Sequence, residues 1–205
     1  MGDYFQILQK EPYSQVRPHI KDGDCLLFRP YSMDGWSISV AGRSPYSHVA
    51  MAGWWGEDLF ALELNGGYGG RAIHLSNYVN LRANASIDWY PIRADLYPTT
   101  FDRAKALEAM KNLMGTPYAW LDIKMVSLYH LPLVRWIRYI WKGPPPTTNL
   151  EPEGKPFFCS GAYSYACTKG GHDPVPGLGN HWVEPGDIYR SDFLDHERAT
   201  VLVRD

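Results

Sequence analysis

The chain has 205 residues, 45% hydrophobic and 20% charged, with a formal net charge of −2 at pH 7. That length suits one domain with a substantial core, and the composition is globular rather than disordered. A balance so close to neutral lacks the basic footprint of a nucleic-acid binder, so no such partner is expected.

Residues 1–20 are polar and show no clear period. The opening Met1-Gly-Asp-Tyr-Phe-Gln lacks the basic start and apolar run of a signal peptide, and Gln6 breaks the myristoylation pattern. No apolar run is long enough to span a bilayer. These features imply a soluble protein, cytoplasmic as synthesised, with export or phage or effector delivery left open. Gly23-Asp24 then introduces Cys25-Leu-Leu-Phe28, a short apolar run closed by Pro30 that reads as a buried strand, with Cys25 a small core residue. Met33–Ala41 reads as a short helix with Trp36 and Val40 on one side, and Gly42–Ser47 as a turn-rich loop.

Two strands follow, His48–Trp54 and Leu59–Asn65, joined by Trp55-Gly-Glu-Asp58. An even-numbered loop makes paired positions sum to an odd number, which puts His48 and Glu63 on one face with Ala50, Ala52 and Ala61. Val49, Met51, Phe60, Leu62 and Leu64 occupy the other. The small face, with a histidine and a glutamate in it, is expected to receive a closely packed helix, and the helix starting at Cys159 has the matching small surface. Gly66–Gly70 lacks the spacing, the lysine and the following helix of a phosphate loop. Arg71–Leu75 and Ser86–Arg93 are further strand candidates, and His74 carries no catalytic expectation.

Thr99-Thr-Phe-Asp102 starts a helix with a threonine as cap, Asp102 in the first turn, and Leu107, Met110 and Met114 as its apolar stripe. A helical insertion is expected over about residues 119–155. Within it, Val134, Trp136, Ile137, Ile140 and Trp141 alternate with Arg135, Arg138 and Lys142, so residues 133–142 are a candidate peripheral membrane contact.

Lys155–Gly171 reads as a short helix with Cys159 in its first turn and Gly170 and Gly171 just past its end. A thiol at a helix N-terminus feels unpaired N–H groups and the positive end of the dipole, which favour thiolate. The steps of three, four and seven from Cys159 reach Ala162, Tyr163 and Ala166, a mostly small face. Cys25, Cys159 and Cys167 form no C-x-x-C pair, and His172 and His181 lack metal-ligand spacing, so neither metal nor cofactor is expected. Thr200–Val203 is a last strand.

Gly23-Asp24 through Phe28, Ser47-His48-Val-Ala-Met51, Ala61-Leu-Glu63, Gly115-Thr-Pro-Tyr118 and Cys159-Ser-Gly161 together resemble the NlpC/P60 papain-like superfamily. Because the histidine strand precedes the cysteine helix, the order resembles the circularly permuted branch, the YiiX/YaeF-like amidases. The resemblance implies an α+β fold over residues 1–205: a mostly antiparallel sheet or half-barrel packed against the cysteine helix. It also implies Cys159 as nucleophile, His48 as general base and Glu63 as the third polar residue. Tyr46 and Ser160 are weaker candidates for the oxyanion or substrate site. The implied activity is a cysteine hydrolase acting on a peptide or acyl-amide bond. A lipid thioesterase or acyltransferase using the same three residues, and a binding module without turnover, are the alternatives.

Overall fold

Short extended runs separated by Gly- and Pro-rich turns pair into a single sheet. Its strands are β1 (Gln9–Pro12), β2 (Cys25–Phe28), β3 (His48–Trp55), β4 (Asp58–Asn65), β5 (Gly69–His74), β6 (Ile87–Tyr90) and β7 (Thr200–Val203). The computed structural model describes residues 8–30, 32–81, 87–93, 101–119 and 156–205. The spatial order is β1–β7–β6–β2–β3–β4–β5. Every pairing is antiparallel except β1 with β7. Gly56 and Glu57 form the two-residue turn of the β3–β4 hairpin, and Gly56 takes the left-handed conformation, φ 61°, that such turns require.

Among the described residues, the helices are α1 (Tyr13–Val16), α2 (Met33–Ala41), α3 (Leu75–Leu81), α4 (Arg103–Lys111), α5 (Cys159–Lys169) and α6 (Pro185–Tyr189). The expected α+β class is therefore the observed one. On one side of the sheet, Leu27, Val49, Met51, Leu62 and Leu64 pack against Ala162, Tyr163, Ala166 and Cys167 of α5 and Ala106 and Met110 of α4. On the other side, Leu26, Phe28, Ala50, Ala52 and Ala61 meet Tyr13 and Val16 of α1 and Tyr78 and Val79 of α3.

The hairpin register agrees with the expected faces, since Ala52 pairs with Ala61 and Met51 with Leu62. The side on which the cysteine helix lies does not. α5 sits on the bulky face, away from the alanines. Large sheet side chains already fill that interlayer space, so the facing helix must be small there. The alanine face takes large partners instead, Tyr13 and Tyr78 among them.

Other boundaries shift for local reasons. Residues 9–16 form β1 and α1 although their sequence is irregular, because β7 supplies a pairing edge for four residues of β1. Asp102 is the N-cap of α4, accepting from the Lys105 amide at 3.0 Å, where a threonine was expected; Thr99 lies outside the described residues. Leu75 begins α3 rather than ending β5. Residues 120–155, which include the expected helical insertion and the 133–142 segment, also lie outside the described residues. No helix among the described residues is long and apolar enough to cross a membrane.

Candidate active site

Cys159 is the first residue of α5, entered from Phe158 in extended conformation (φ −106°, ψ 177°). The backbone N–H groups of Ser160 and Val49 and the side chain of His48 are near enough to its sulfur to favour the thiolate. The described β3–β4 ladder runs from Trp55–Asp58 to Met51–Leu62. Beyond it the Val49 amide turns to the sulfur. The thiol therefore approaches from the α5 side and meets an imidazole belonging to the other face at this end of the ladder. Burial alone would raise the Cys159 pKa, but the His48 charge and hydrogen bond, with the two amides, hold it below its ordinary value.

His48 opens β3 and lies edge-on to Phe28, with ring centroids 5.3 Å apart. Its Nε2 bonds Glu63 Oε2, so the nitrogen left for Cys159 is Nδ1. Burial by itself would lower the imidazole pKa. The carboxylate of Glu63 and the sulfur of Cys159 outweigh it and push the value up to about 10. The two shifts run in opposite directions, and each favours the charged form, thiolate on Cys159 and imidazolium on His48.

Glu63 is fully buried in β4. Oε2 faces His48, while Oε1 accepts from Arg71 Nε at 2.7 Å and from the Tyr78 hydroxyl. Burial opposes its ionisation, but the imidazolium first, then Tyr78 and Arg71, hold the carboxyl down to about 2. Arg71 sits directly across the β4–β5 register, and Tyr78 comes from α3.

Tyr118 is a side chain beside Cys159 that carries no role in the sequence reading, although Gly115-Thr-Pro-Tyr118 is legible there as a motif. Its hydroxyl meets both the sulfur and the backbone N–H of Cys159, and burial followed by the Cys159 charge keeps it protonated. The Gly-rich connector before β5 explains how it arrives. Gly70 N donates to Thr116 O, and Gly115 N to Gly70 O, both at 2.8 Å. A Cβ on Gly70 would stand 2.1 Å from the Leu113 carbonyl, so only glycine permits this approach. Ala119 N then donates to Phe157 O at 3.0 Å, which fixes Tyr118 beside the start of α5.

The hydroxyls of the two weaker candidates are engaged elsewhere. Tyr46 is buried in a separate polar cluster, its hydroxyl 2.5 Å from Asp88 Oδ2 and 2.8 Å from Tyr90, with the Arg29 guanidinium over its ring. A buried carboxylate needs donors, and Asp88 draws Tyr46 away from Cys159. Ser160 spends its hydroxyl on the Val183 carbonyl at 2.7 Å, so only its amide serves the sulfur. Cys25 and Cys167 are core thiols whose pKa values burial drives upward. His172 stacks on Phe193 and His181 on Phe157. Among the described residues, no three His, Cys, Asp or Glu side chains are grouped to hold a metal.

Cys159 is 1% exposed, and Ile38, Tyr118 and Trp182 pack against Cys159 and Phe158. A separate cleft of about 350 Å³, lined by residues that include His172, Asp187, Arg190 and Phe193, contains none of the groups around Cys159.

No protein-family model and no curated protein matches the chain. Among solved structures it is similar to the crystal structure of metalloprotein yiiX from Escherichia coli O157:H7. The identity is 14% and the TM-score 0.46, over 90% of this chain and 97% of that one.

Proposed function

We propose that this protein is a papain-like cysteine hydrolase of permuted order that cleaves amide bonds through a thioacyl-enzyme. The observation that carries this reading is the continuous chain Cys159–His48–Glu63, with opposite pKa shifts on sulfur and imidazole. The Cys159 thiolate attacks the acyl carbon, and the His48 imidazolium gives its proton to the leaving amine. Glu63 orients the ring and stabilises its charged form. The oxyanion is met by the Cys159 amide and the Tyr118 hydroxyl, donors that a site shielded from water makes effective.

The test is iodoacetamide labelling at neutral pH alongside turnover of small peptide amides. Labelling concentrated on Cys159, with turnover abolished in Cys159→Ala and the fold retained, is the expected outcome. Equal labelling of all three cysteines would leave a binding module without turnover. Hydrolysis of lipid acyl esters with none of the amides would move the substrate to the lipid class.

A further inference from the structure

We propose that Arg71, braced by Tyr78, is a positioning residue that keeps His48 available as a base in the second, water-consuming half of the reaction. This rests on the cysteine hydrolase reading. Orienting the imidazole takes one carboxylate oxygen, and Oε2 of Glu63 supplies it. Oε1 is occupied by a full cation: Arg71 Nε and Nη2 each lie 2.7 Å from it, and Nη2 is 2.9 Å from the Tyr78 hydroxyl, which itself donates to Oε1. The ring of Tyr68 lies under the same guanidinium, 4.3 Å away. Among the described residues, the charged and titratable groups facing Glu63 are thus His48 from β3, Arg71 from β5 and Tyr78 from α3, with Cys159 and Tyr118 beyond the imidazole.

The two half-reactions ask opposite things of His48. At rest, thiolate and carboxylate together hold the imidazolium. In acylation the sulfur bonds the acyl carbon, the C–N bond breaks, and the ring proton leaves on the amine. His48 is then neutral and the sulfur carries no charge. In hydrolysis a water oxygen attacks the thioester carbon while its proton passes to His48. The C–S bond breaks, acid departs, and thiolate and imidazolium re-form. A ring already re-protonated from solvent cannot take that proton. Between the steps only Glu63 draws a proton onto the ring, and Arg71 offsets that charge.

The experiment uses the full chain, with p-nitrophenyl acetate as probe and intact mass to detect acetylated enzyme. Arg71→Gln is expected to keep a burst of wild-type size. Its acetyl-enzyme should accumulate, and the pH limb of deacylation should rise by about one unit, about tenfold slower at neutral pH. Arg71→Lys should restore the wild-type limb. A structural role alone would shrink the burst and leave the limb in place, and that result overturns the proposal. If Arg71→Gln does not fold, Tyr78→Phe should move the limb the same way by a smaller amount; no movement there is equally decisive. A wild-type protein that shows no burst and no acetylation at Cys159 fails the parent reading instead, and this proposal with it.

Discussion

The two ends of α5 carry the same side chain with its pKa shifted in opposite directions. Cys159 and Cys167 are both buried on one helix, yet the thiol of the first is acidified and that of the second is not. At the N-terminal end, the Ser160 and Val49 amides and the His48 imidazole surround the sulfur. At the C-terminal end, Cys167 packs in the apolar core, where burial is the leading influence and a hydrogen bond from Tyr163 only tempers it. Burial raises the Cys167 thiol and is outweighed at Cys159, so burial alone does not fix the direction. Reactivity depends on whether burial comes with a partner charge.

The largest expected effect removes that partner. His48→Asn should erase the difference between the two cysteines, lowering Cys159 alkylation at neutral pH by about 10²-fold or more; an unchanged rate would show that the helix end alone activates the sulfur. Tyr118→Phe leaves the imidazole in place but takes a donor from the same end, so kcat should fall by about 10²-fold with Cys159 alkylation largely preserved.

Stability against pH sharpens the contrast further. A raised His48 contributes stability that is full below its ordinary 6.5 and lost as pH climbs through about 10. A lowered Cys159 contributes stability present above its ordinary 9.0 and lost as pH falls through its folded value. Where the two windows overlap, above both 6.5 and the folded Cys159 value and below 9.0, the two slopes oppose each other and give a plateau. Glu63 adds a loss from 4.5 down toward about 2. Thermal melts of Cys159→Ala should lose the plateau and show their maximum shifted toward acid, whereas Cys167→Ala should keep it.

Gly70→Ala should destabilise by about 1–3 kcal/mol, because its Cβ would collide with the Leu113 carbonyl, and activity should fall as Tyr118 is displaced. The smallest effect is at the far end of the helix. Cys167→Ala should cost about 1–2 kcal/mol in denaturant unfolding and leave turnover unchanged.

Much of the site was legible from local pattern. Alternation along β3 and β4 placed His48 and Glu63 together, because side-chain period in a strand is fixed by backbone geometry. The position of Cys159 followed from helix-end chemistry, and its link to the hairpin from the order of short motifs. Nothing local predicted Tyr46's attachment to Asp88, since the two are far apart in sequence and meet only where β6 lies beside β2. Tyr118 was seen as part of a motif but had no role until Gly70 brought its loop against the start of α5.

What the residues determined by themselves was which side chains share a face and which thiol stands at a helix tip, both consequences of nearest-neighbour geometry. Which face of the sheet α5 covers, how its sulfur reaches an imidazole from the opposite side, and which groups hold the far oxygen of Glu63 were decided only in three dimensions. They depend on volume complementarity between layers and on where one strand ladder stops, and neither is written within any single segment.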